Sequence, residues 1–425
     1  MSIKTLDRSV APAVRPLADI KLAPEHVETL ANGIAFHVVN IGTQPISRLV
    51  VARDGGALDA ERPWQKRLMS EAMRENTASM DGEQIADIVD YNGARLTGNV
   101  HEHFTKLELL ALNHRLPALL PVVRDIILEA RFNERSLAVV AGKAAANRAI
   151  QLSKVSYMAS NAARRMVTGP GHPSAIVAMP DDFTSTTPDD VTALYDEMLG
   201  ARMHVFLGGA LDSATVDAVR GFLEELPYAD RGLMHVKPYT PLAPGRTHVD
   251  MPQARQAAVS MMMPAIRRDN PDYIDLRLAI VALGGYFGSR LMSNIREDKG
   301  LTYGISAALL GSREGAYMEI GAQCDRNYVE QVIEESIREI TSLRTNPPEG
   351  EELERLRLYA WTSLAAATDS AFGTLDHYIT RLMVGTPENY FAEQLQHIAK
   401  LTPERISAVA TRYLDPEQLR IATAF

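Results

Sequence analysis

The sequence predicts an α+β fold made of two related domains. Its 425 residues are too many for one ordinary core, because domains commonly contain about 100–150 residues. Strand-like and helix-like segments alternate along the chain, which indicates helices layered on sheets. The same order of segments recurs on both sides of a stretch rich in proline and glycine. This recurrence indicates an internal duplication with a period of about half the chain.

The first half opens with two strand-like segments, Gly33–Val39 and Ser47–Arg53, joined by a turn at Gly42–Pro45. Periodicity and end signals then predict the remaining elements of this half. The helices are predicted at Trp64–Arg74, Gly82–Asn92, Pro117–Glu129, Glu134–Leu152, Pro188–Leu199 and Ser213–Leu226, and the strands at Arg95–Thr105 and His204–Gly208.

Residues 228–250 are predicted to be a linker, because six prolines and glycines fall from Pro227 to Gly245 without sustained periodicity. The two domains are therefore predicted at residues 1–227 and 251–425. The second half is predicted to contain a strand at Ala257–Met263, helices at Pro271–Leu283 and Ser289–Glu297, strands at Gly304–Leu310 and Tyr317–Ala322, and then long helices.

The composition is that of a soluble globular protein, with 46% hydrophobic and 23% charged residues. The net charge of −9 argues against nucleic-acid and anionic-membrane partners, and it would tolerate basic peptides. The single cysteine, Cys324, excludes an internal disulfide framework and a cysteine-rich zinc site. No apolar run reaches the length of a membrane-spanning helix. Residues Met1–His26 lack the apolar core of a signal peptide, so the cytoplasm is the default location; the periplasm stays open if a leader has been removed.

A segment of the second half has a distinctive order of glycines and arginines. It consists of Leu283–Leu291 (LGGYFGSRL) followed by Ile295–Tyr303 (IREDKGLTY). This segment is similar to the "LGG..SRL...R...GL.Y" segment of the pitrilysin, insulinase and mitochondrial-processing-peptidase-like zinc peptidases. The path from His172 to Val191 and the closing segment Thr402–Leu414 resemble further parts of that family. The resemblance therefore covers nearly the whole chain.

The resemblance implies that two homologous domains form one half of a clamshell, and that two such halves enclose a peptide chamber. Active members carry the motif H-x-x-E-H on a helix and a distant acidic third ligand. Two histidines four residues apart lie on one helical face and hold zinc, while the glutamate takes a proton from the zinc-bound water.

In this sequence Arg67, Ser70 and Glu71 stand at those three motif positions. Arg67 cannot lose its proton to become a ligand, Ser70 is a poor base, and Glu71 is a single carboxylate. The third ligand is expected on the helix after Asn133, but no acidic residue occurs at positions 138–154. We therefore expect no zinc and no other cofactor on this chain.

The resemblance gives Arg296 and Tyr303 the roles of binding the substrate backbone and the developing oxyanion. A guanidinium and a phenol suit this work because both donate hydrogen bonds to a carbonyl oxygen that gains charge. A plainer interpretation also stands: Arg296 could pair with Glu297 or Asp298, and Tyr303 could be a half-buried strand residue.

Three other patterns have competing interpretations. His101, Glu102 and His103 would place two imidazoles on one face of a strand, either for a metal or as ordinary polar residues of a substrate-facing strand. The cluster Gly284, Gly285 and Gly288 lacks the ending of a phosphate loop, which favours a tight turn. Arg164 and Arg165 either begin a loop that lines the chamber or form a solvated basic turn.

The leading hypothesis is a non-catalytic, substrate-binding subunit of a heterodimeric zinc metallopeptidase. Arg296 and Tyr303 would complete a site whose zinc is on a homologous partner chain with an intact H-x-x-E-H motif. The alternative is a structural or assembly protein that keeps the fold without a proteolytic role. A third possibility is a homodimer whose chamber binds peptides without cleaving them.

Overall fold

The computed structural model describes Ser9, residues 20–231 and residues 236–425. Most of the N-terminal segment Met1–His26, for which no signal peptide was predicted, lies outside these residues. Residues 232–235 of the predicted linker also lie outside them.

Six strands form the first sheet, in the spatial order β1-β2-β6-β3-β5-β4. Strands β2 and β6 are parallel, and every other neighbouring pair is antiparallel. The strands are β1 (His26–Thr29), β2 (Ala35–Asn40), β3 (Ile46–Asp54), β4 (Arg95–Val100), β5 (Phe104–Leu112) and β6 (Met203–Gly209).

Five strands form the second sheet, in the order β7-β11-β8-β10-β9. They are β7 (Gly245–Val249), β8 (Ala257–Ala265), β9 (Thr302–Gly311), β10 (Ala316–Cys324) and β11 (Arg420–Ala424). The edge pair β7 and β11 is parallel, and the rest of the sheet is antiparallel. Strands β2 to β6 of the first sheet and β7 to β11 of the second therefore share one arrangement, in which the first strand of each set lies beside the fifth, followed by the second, fourth and third; β1 is an additional edge strand. The predicted duplication is therefore visible in the strand order of the two sheets.

Helices pack against both sheets. In the first half these are α1 (Pro63–Ala72), α2 (Gly82–Tyr91), α3 (Leu116–Glu129), α4 (Glu134–Leu152), α5 (Val155–Thr168), α6 (Pro180–Thr184), α7 (Pro188–Leu199) and α8 (Ser213–Glu224). In the second half they are α9 (Tyr273–Ile280), α10 (Val329–Thr345), α11 (Gly350–Ala367), α12 (Ala371–Val384), α13 (Tyr390–Ala399) and α14 (Pro403–Tyr413).

The two halves exchange one helix each across their sheets. Helix α5 of the first half packs on the second sheet, where Ala163 and Val167 contact Met262, Tyr317 and Ala422. Because α5 covers the face opposite the second half's own helices, this sheet is enclosed on both sides. The central strand β8 is correspondingly buried over most of its length.

Helix α12 of the second half makes the reciprocal contact with the first sheet. Leu375, Ile379 and Met383 pack against a cluster that includes Val50 and Phe206. Strand β3 is buried on both faces for this reason, and its sequence ISRLVVARD shows little alternation. Each sheet therefore has one face buried by a helix from the other half.

A bidentate ion pair joins the halves beside α12. Arg48 of β3 donates from Nη1 to Asp376 Oδ2 at 2.9 Å and from Nη2 to Asp376 Oδ1 at 2.7 Å. Arg48 also pairs with Glu108 of β5 at 2.9 Å. A bidentate contact between a guanidinium and a carboxylate fixes the relative orientation of the two groups, and it is stronger than a hydrogen bond between neutral groups.

Several predicted elements need correction. The single strand predicted at Arg95–Thr105 is a hairpin of β4 and β5, with a turn at residues 101–103. Residues 245–249, assigned to the linker, form the edge strand β7, whose polar sequence GRTHV gave no strand signal. The helix predicted at Pro271–Leu283 ends at Ile280, and a wide π-type turn follows at Val281–Gly285.

None of the helices within residues 20–231 and 236–425 combines the length and the apolar character that a bilayer crossing needs.

Candidate functional site

Helix α1 carries the three positions that correspond to the zinc motif, and of these Arg67 faces a cavity lined by both halves. The helix begins with Pro63 in its first turn, where a missing N–H costs nothing. Leu68 and Met69 anchor it in the core of the first half. Positions 67, 70 and 71 share one face of the helix because residues three and four apart are neighbours.

The three side chains at these positions have unlike surroundings. Arg67 is exposed, Glu71 is half-buried, and Ser70 is buried beneath β4, where its carbonyl and hydroxyl oxygens lie against Gly98. Within residues 20–231 and 236–425, no group of three or more His, Cys, Asp or Glu side chains is arranged to hold a metal ion. The zinc that the resemblance associates with this helix does not fit the residues present.

A buried ion pair fixes the base of α1, and the sequence gave no sign of it. Lys66 Nζ lies 2.8 Å from Asp59 Oδ1 and 3.8 Å from Glu197 Oε1. Burial raises the pKa of Asp59, although the Lys66 charge opposes this rise. The pair holds α1 against the loop that follows β3, so we assign it a structural role.

A cavity of about 620 Å³ opens beside Arg67. Arginines from three helices line it: Arg67 of α1, Arg148 of α4 and Arg164 of α5. Its aromatic walls come from both halves and comprise Trp64, Tyr157, Tyr239 and Tyr317. The helix on which a third zinc ligand was expected thus contributes a cation to the cavity.

Two of these arginines are oriented by neighbouring groups. Arg148 Nη1 donates to the Ala178 carbonyl oxygen at 3.0 Å, and its guanidinium carbon lies 5.5 Å from the centre of the Tyr157 ring. Arg164 donates to Asn161 Oδ1 and to Ser160 Oγ, both at 3.3 Å. Arg164 lies inside helix α5, so the loop or turn predicted at Arg164 and Arg165 is wrong.

The turn between β4 and β5 forms another side of the cavity. His101 and Glu102 line the cavity, and the His101 ring stacks on Phe104 with 4.4 Å between ring centres. Desolvation of the carboxyl and repulsion from Glu314 raise the pKa of Glu102, whereas the charges of Arg164 and Arg268 lower it, and the residue as a whole is exposed.

His103 points away from that cavity and towards the second half. Its Nε2 accepts a hydrogen bond from the Arg313 N–H at 3.1 Å and lies 3.5 Å from Glu314 Oε2. Because residues 101–103 form a turn, the strand alternation that paired His101 with His103 does not apply. The metal interpretation of these residues loses its geometric basis.

Arg296 and Tyr303 lie together at the edge of the second sheet. Arg296 belongs to the π-type turn at Met292–Asp298, and Tyr303 belongs to the edge strand β9. Arg296 Nε donates to the Tyr303 carbonyl oxygen at 3.1 Å, and its guanidinium carbon lies 4.8 Å from the centre of the Phe287 ring. The Tyr303 side chain is 91% exposed.

The plainer interpretation, an ion pair of Arg296 and a half-buried Tyr303, agrees with the structure only for Arg296. Arg296 Nη1 lies 3.7 Å from Glu297 Oε1, a loose and exposed ion pair. Tyr303, however, is far more exposed than a half-buried strand residue. It lines two clefts, of about 550 Å³ and 380 Å³, and Glu319 also lines the larger one.

The glycine cluster near this pair has a packing role. A Cβ at Gly284 would lie 2.6 Å from the Ala307 nitrogen and 2.7 Å from the Ala307 Cβ. Gly284 therefore allows the turn before Arg290 to approach β9 closely.

The three consecutive methionines of β8, Met261, Met262 and Met263, are fully buried, as expected of residues that pack in a core.

The structure contains two related α+β domains, and helix α1 of the first domain lacks the ligands of the zinc motif that the resemblance places there. Residues 185–358 match the family described as Peptidase M16 inactive domain. No curated protein matches the sequence significantly.

Solved structures share the fold over nearly the whole chain. The peptidase M16 inactive domain from Pseudomonas fluorescens is 21% identical, with a TM-score of 0.84, and the match covers 94% of this chain and 97% of that one. A protease from Helicobacter pylori is 13% identical, with a TM-score of 0.84 and coverage of 95% and 100%. The periplasmic protease PqqL from Escherichia coli is 15% identical, with a TM-score of 0.78, and the match covers 98% of this chain and 49% of that protein.

The resemblance to this family of zinc peptidases is thereby confirmed. Residues 185–358 carry the M16 inactive domain, and the chain as a whole has the M16 peptidase fold. In helix α1, Arg67, Ser70 and Glu71 stand where active members of that family carry the zinc motif.

Proposed function

We propose that this chain is the substrate-binding subunit of a heterodimeric zinc metallopeptidase that cleaves peptides. Zinc would be held by a homologous partner chain with an intact H-x-x-E-H motif, and this chain would supply Arg296 and Tyr303. The observation that carries the proposal is the 91% exposure of Tyr303 beside an anchored guanidinium. An exposed phenol at a sheet edge adds little to folding, so its position favours contact with a second molecule.

The contacts of Arg296 suit a donor that acts on a substrate. Its Nε is held by the Tyr303 carbonyl oxygen and its plane rests near Phe287, which restricts the side chain. The Nη groups remain available, apart from the loose contact with Glu297. Guanidinium and phenol hydrogens could then stabilise an oxyanion that forms on the peptide carbonyl.

The first test mixes the isolated chain with a zinc-bearing homologue and measures peptide cleavage. We expect little cleavage by either chain alone and strong cleavage by the mixture. Tyr303→Phe should lower kcat of the mixture by about 10²–10³-fold, the usual effect of removing one oxyanion donor. Tyr91→Phe is the matched control, because Tyr91 is 83% exposed on α2, away from the pair.

The arginine is tested in the same assay. Arg296→Gln should also lower kcat, whereas Arg267→Gln should leave it unchanged, because Arg267 makes only an exposed pair with Asp269. Normal stimulation by both site variants would exclude a role for this pair in catalysis.

The alternative, a structural or assembly protein of the same fold, draws support from the contact between Arg296 and Glu297. That contact satisfies part of the guanidinium without any substrate. The structural role predicts that the double variant Arg296→Gln/Tyr303→Phe still assembles with its partner and leaves the partner's activity unchanged. Copurification scored together with cleavage separates the two functions.

A further inference from the structure

The cavity beside α1 has the opposite charge to the molecule as a whole. The chain carries a formal net charge of −9, yet the cavity lining contains three arginines and one acidic residue, Glu102. An anion entering the cavity would therefore meet a local excess of positive charge.

Among the described residues, none of the three guanidinium groups forms an ion pair with a carboxylate, although the charge of Arg164 lowers the pKa of Glu102. Some other arginines of this protein form ion pairs, such as Arg290 with Glu352 at 2.7 Å and Arg405 with Asp275 at 2.7 Å. Arg67, by contrast, makes no side-chain hydrogen bond or ion pair to residues 20–231 or 236–425. Arg148 and Arg164 bond only neutral oxygens.

The arrangement is also partly fixed before any ligand binds. The Ala178 carbonyl oxygen and the Tyr157 ring hold Arg148, and Asn161 and Ser160 hold Arg164. A guanidinium that is already oriented loses less conformational entropy when it binds a carboxylate through two hydrogen bonds. Arg67 extends from a helix that the core holds firmly, so all three cations lie on rigid elements.

We infer that this cavity, defined by Arg67, Arg148 and Arg164, binds the carboxylate of a peptide beside helix α1. The volume of about 620 Å³ and the aromatic walls fit a peptide end or side chain better than a bare inorganic ion. The one carboxylate in the lining, Glu102, favours a singly charged guest over a phosphate dianion. The peptide as guest rests on the proposed function, whereas the preference for a carboxylate rests on the cavity alone.

The carboxylate could be the C-terminus of a peptide or an Asp or Glu side chain, and peptide binding to the isolated chain distinguishes them. Calorimetry would compare a short neutral peptide with a free C-terminus, the same peptide amidated, and the amidated peptide with one internal Glu. Binding of the first assigns the C-terminal carboxylate, and binding of the third assigns the side chain. Equal binding of the amidated neutral peptide, or tighter binding of inorganic phosphate, would overturn the inference.

Substitutions test the location of the site. Arg67→Gln and Arg164→Gln should each weaken carboxylate binding about tenfold or more, the usual effect of losing a charge-assisted hydrogen bond. Arg165→Gln and Arg135→Gln are matched controls, since these exposed arginines lie on α5 and α4 outside the cavity. Arg67 has no partner to lose, so its variant keeps the fold even if Arg164→Gln disturbs α5. Equal losses in the site and control variants would contradict the inference.

These measurements need no partner chain, so they separate the two proposals. Carboxylate binding without stimulation of a zinc-bearing homologue would remove the proposed function and leave this inference standing. Stimulated cleavage without carboxylate binding would remove this inference and leave the proposed function standing.

Discussion

At the scale of single residues, Gly56 allows the chain to pass close to the turn at residues 101–103, which borders the cavity. The backbone after β3 runs against residues 101–103, with Ala57 N donating to the His101 carbonyl oxygen at 2.7 Å. A Cβ at Gly56 would collide with the carbonyl oxygens of His101 and Glu102. Gly56→Ala should therefore lower the free energy of unfolding by about 1–3 kcal/mol, as overpacking does.

A second glycine supplies the control for this prediction. Gly142 lies within helix α4, and a Cβ there would meet nothing within 4 Å. Gly142→Ala should raise the free energy of unfolding by about 0.5–1 kcal/mol, because alanine favours the helix. Urea denaturation of both variants measures the difference, and equal effects would show that the turn can shift at no cost.

The buried histidine of the same turn makes stability depend on pH. Burial lowers the pKa of His103, with the Arg313 charge acting in the same direction, whereas Glu314 and Asp54 oppose it. The unfolded chain keeps a histidine pKa of about 6.5, so it takes up a proton before the folded protein does as the pH falls. The contribution of His103 to stability is therefore present above pH about 6.5 and is lost as the pH falls through the lower pKa of the folded state.

His103→Gln should reduce this pH dependence. A glutamine oxygen can still accept the hydrogen bond from the Arg313 N–H, but it does not titrate. The fall in Tm between pH about 7.5 and about 5.5 should be smaller in this variant than in the unsubstituted protein. His114→Gln, at an exposed position, should show the full fall; the same fall in both variants would exclude His103 as a source.

Some residues of the site could be predicted from the sequence, and others could not. Arg67, Ser70 and Glu71 were identified because a motif fixes their spacing, and the structure places all three on α1. Arg148 was not singled out, since no sequence pattern connects an arginine of α4 with Arg67 and Arg164. Only the packing of α1, α4 and α5 around one cavity brings these cations together.

At the scale of elements, sequence periodicity located most helices to within a few residues. Helices α4 and α7 have the predicted bounds, because Asn133 and Thr187 cap their first turns through side-chain hydrogen bonds. Helix α5 was missed, since it follows α4 after only two residues and its N-terminal Lys154 makes no side-chain cap. The hairpin of β4 and β5 was missed because its turn, His101–His103, contains neither glycine nor proline.

Helix α12 leads to a prediction at this scale. Leu375 is fully buried between α12 and the first sheet, against Gly208. Leu375→Ala should lower the free energy of unfolding by about 2–5 kcal/mol, the range for large-to-small changes in a core. Leu242→Ala, at a side chain that is 43% exposed, should change it by less than about 0.5 kcal/mol. Similar values for the two variants would contradict the packing of α12 on this sheet.

At the scale of the whole molecule, the sequence predicted the duplication but not the exchange of helices. Order of elements is enough to reveal two related halves, and both sheets have the same strand arrangement. The exchange depends on which face of each sheet α5 and α12 cover. An apolar helix face shows that a partner surface exists without saying which sheet supplies it.

The exchange predicts that both halves unfold in one transition, although each has its own core. If either half opened first, it would take α5 or α12 away from the other half's sheet and expose an apolar face. The chain has two tryptophans, Trp64 in α1 and Trp361 in α11, so each half carries its own fluorescent reporter. Trp361→Phe leaves only the first-half reporter, and Trp64→Phe leaves only the second-half reporter.

We expect the two single-tryptophan variants to report midpoints that coincide in urea. Adding Leu375→Ala should lower both midpoints equally, although Leu375 packs on the first sheet and belongs to the second half. Coincident transitions are the signature of cooperative unfolding. Two separate midpoints, or a shift seen by Trp64 alone, would show that each sheet tolerates the loss of its exchanged helix.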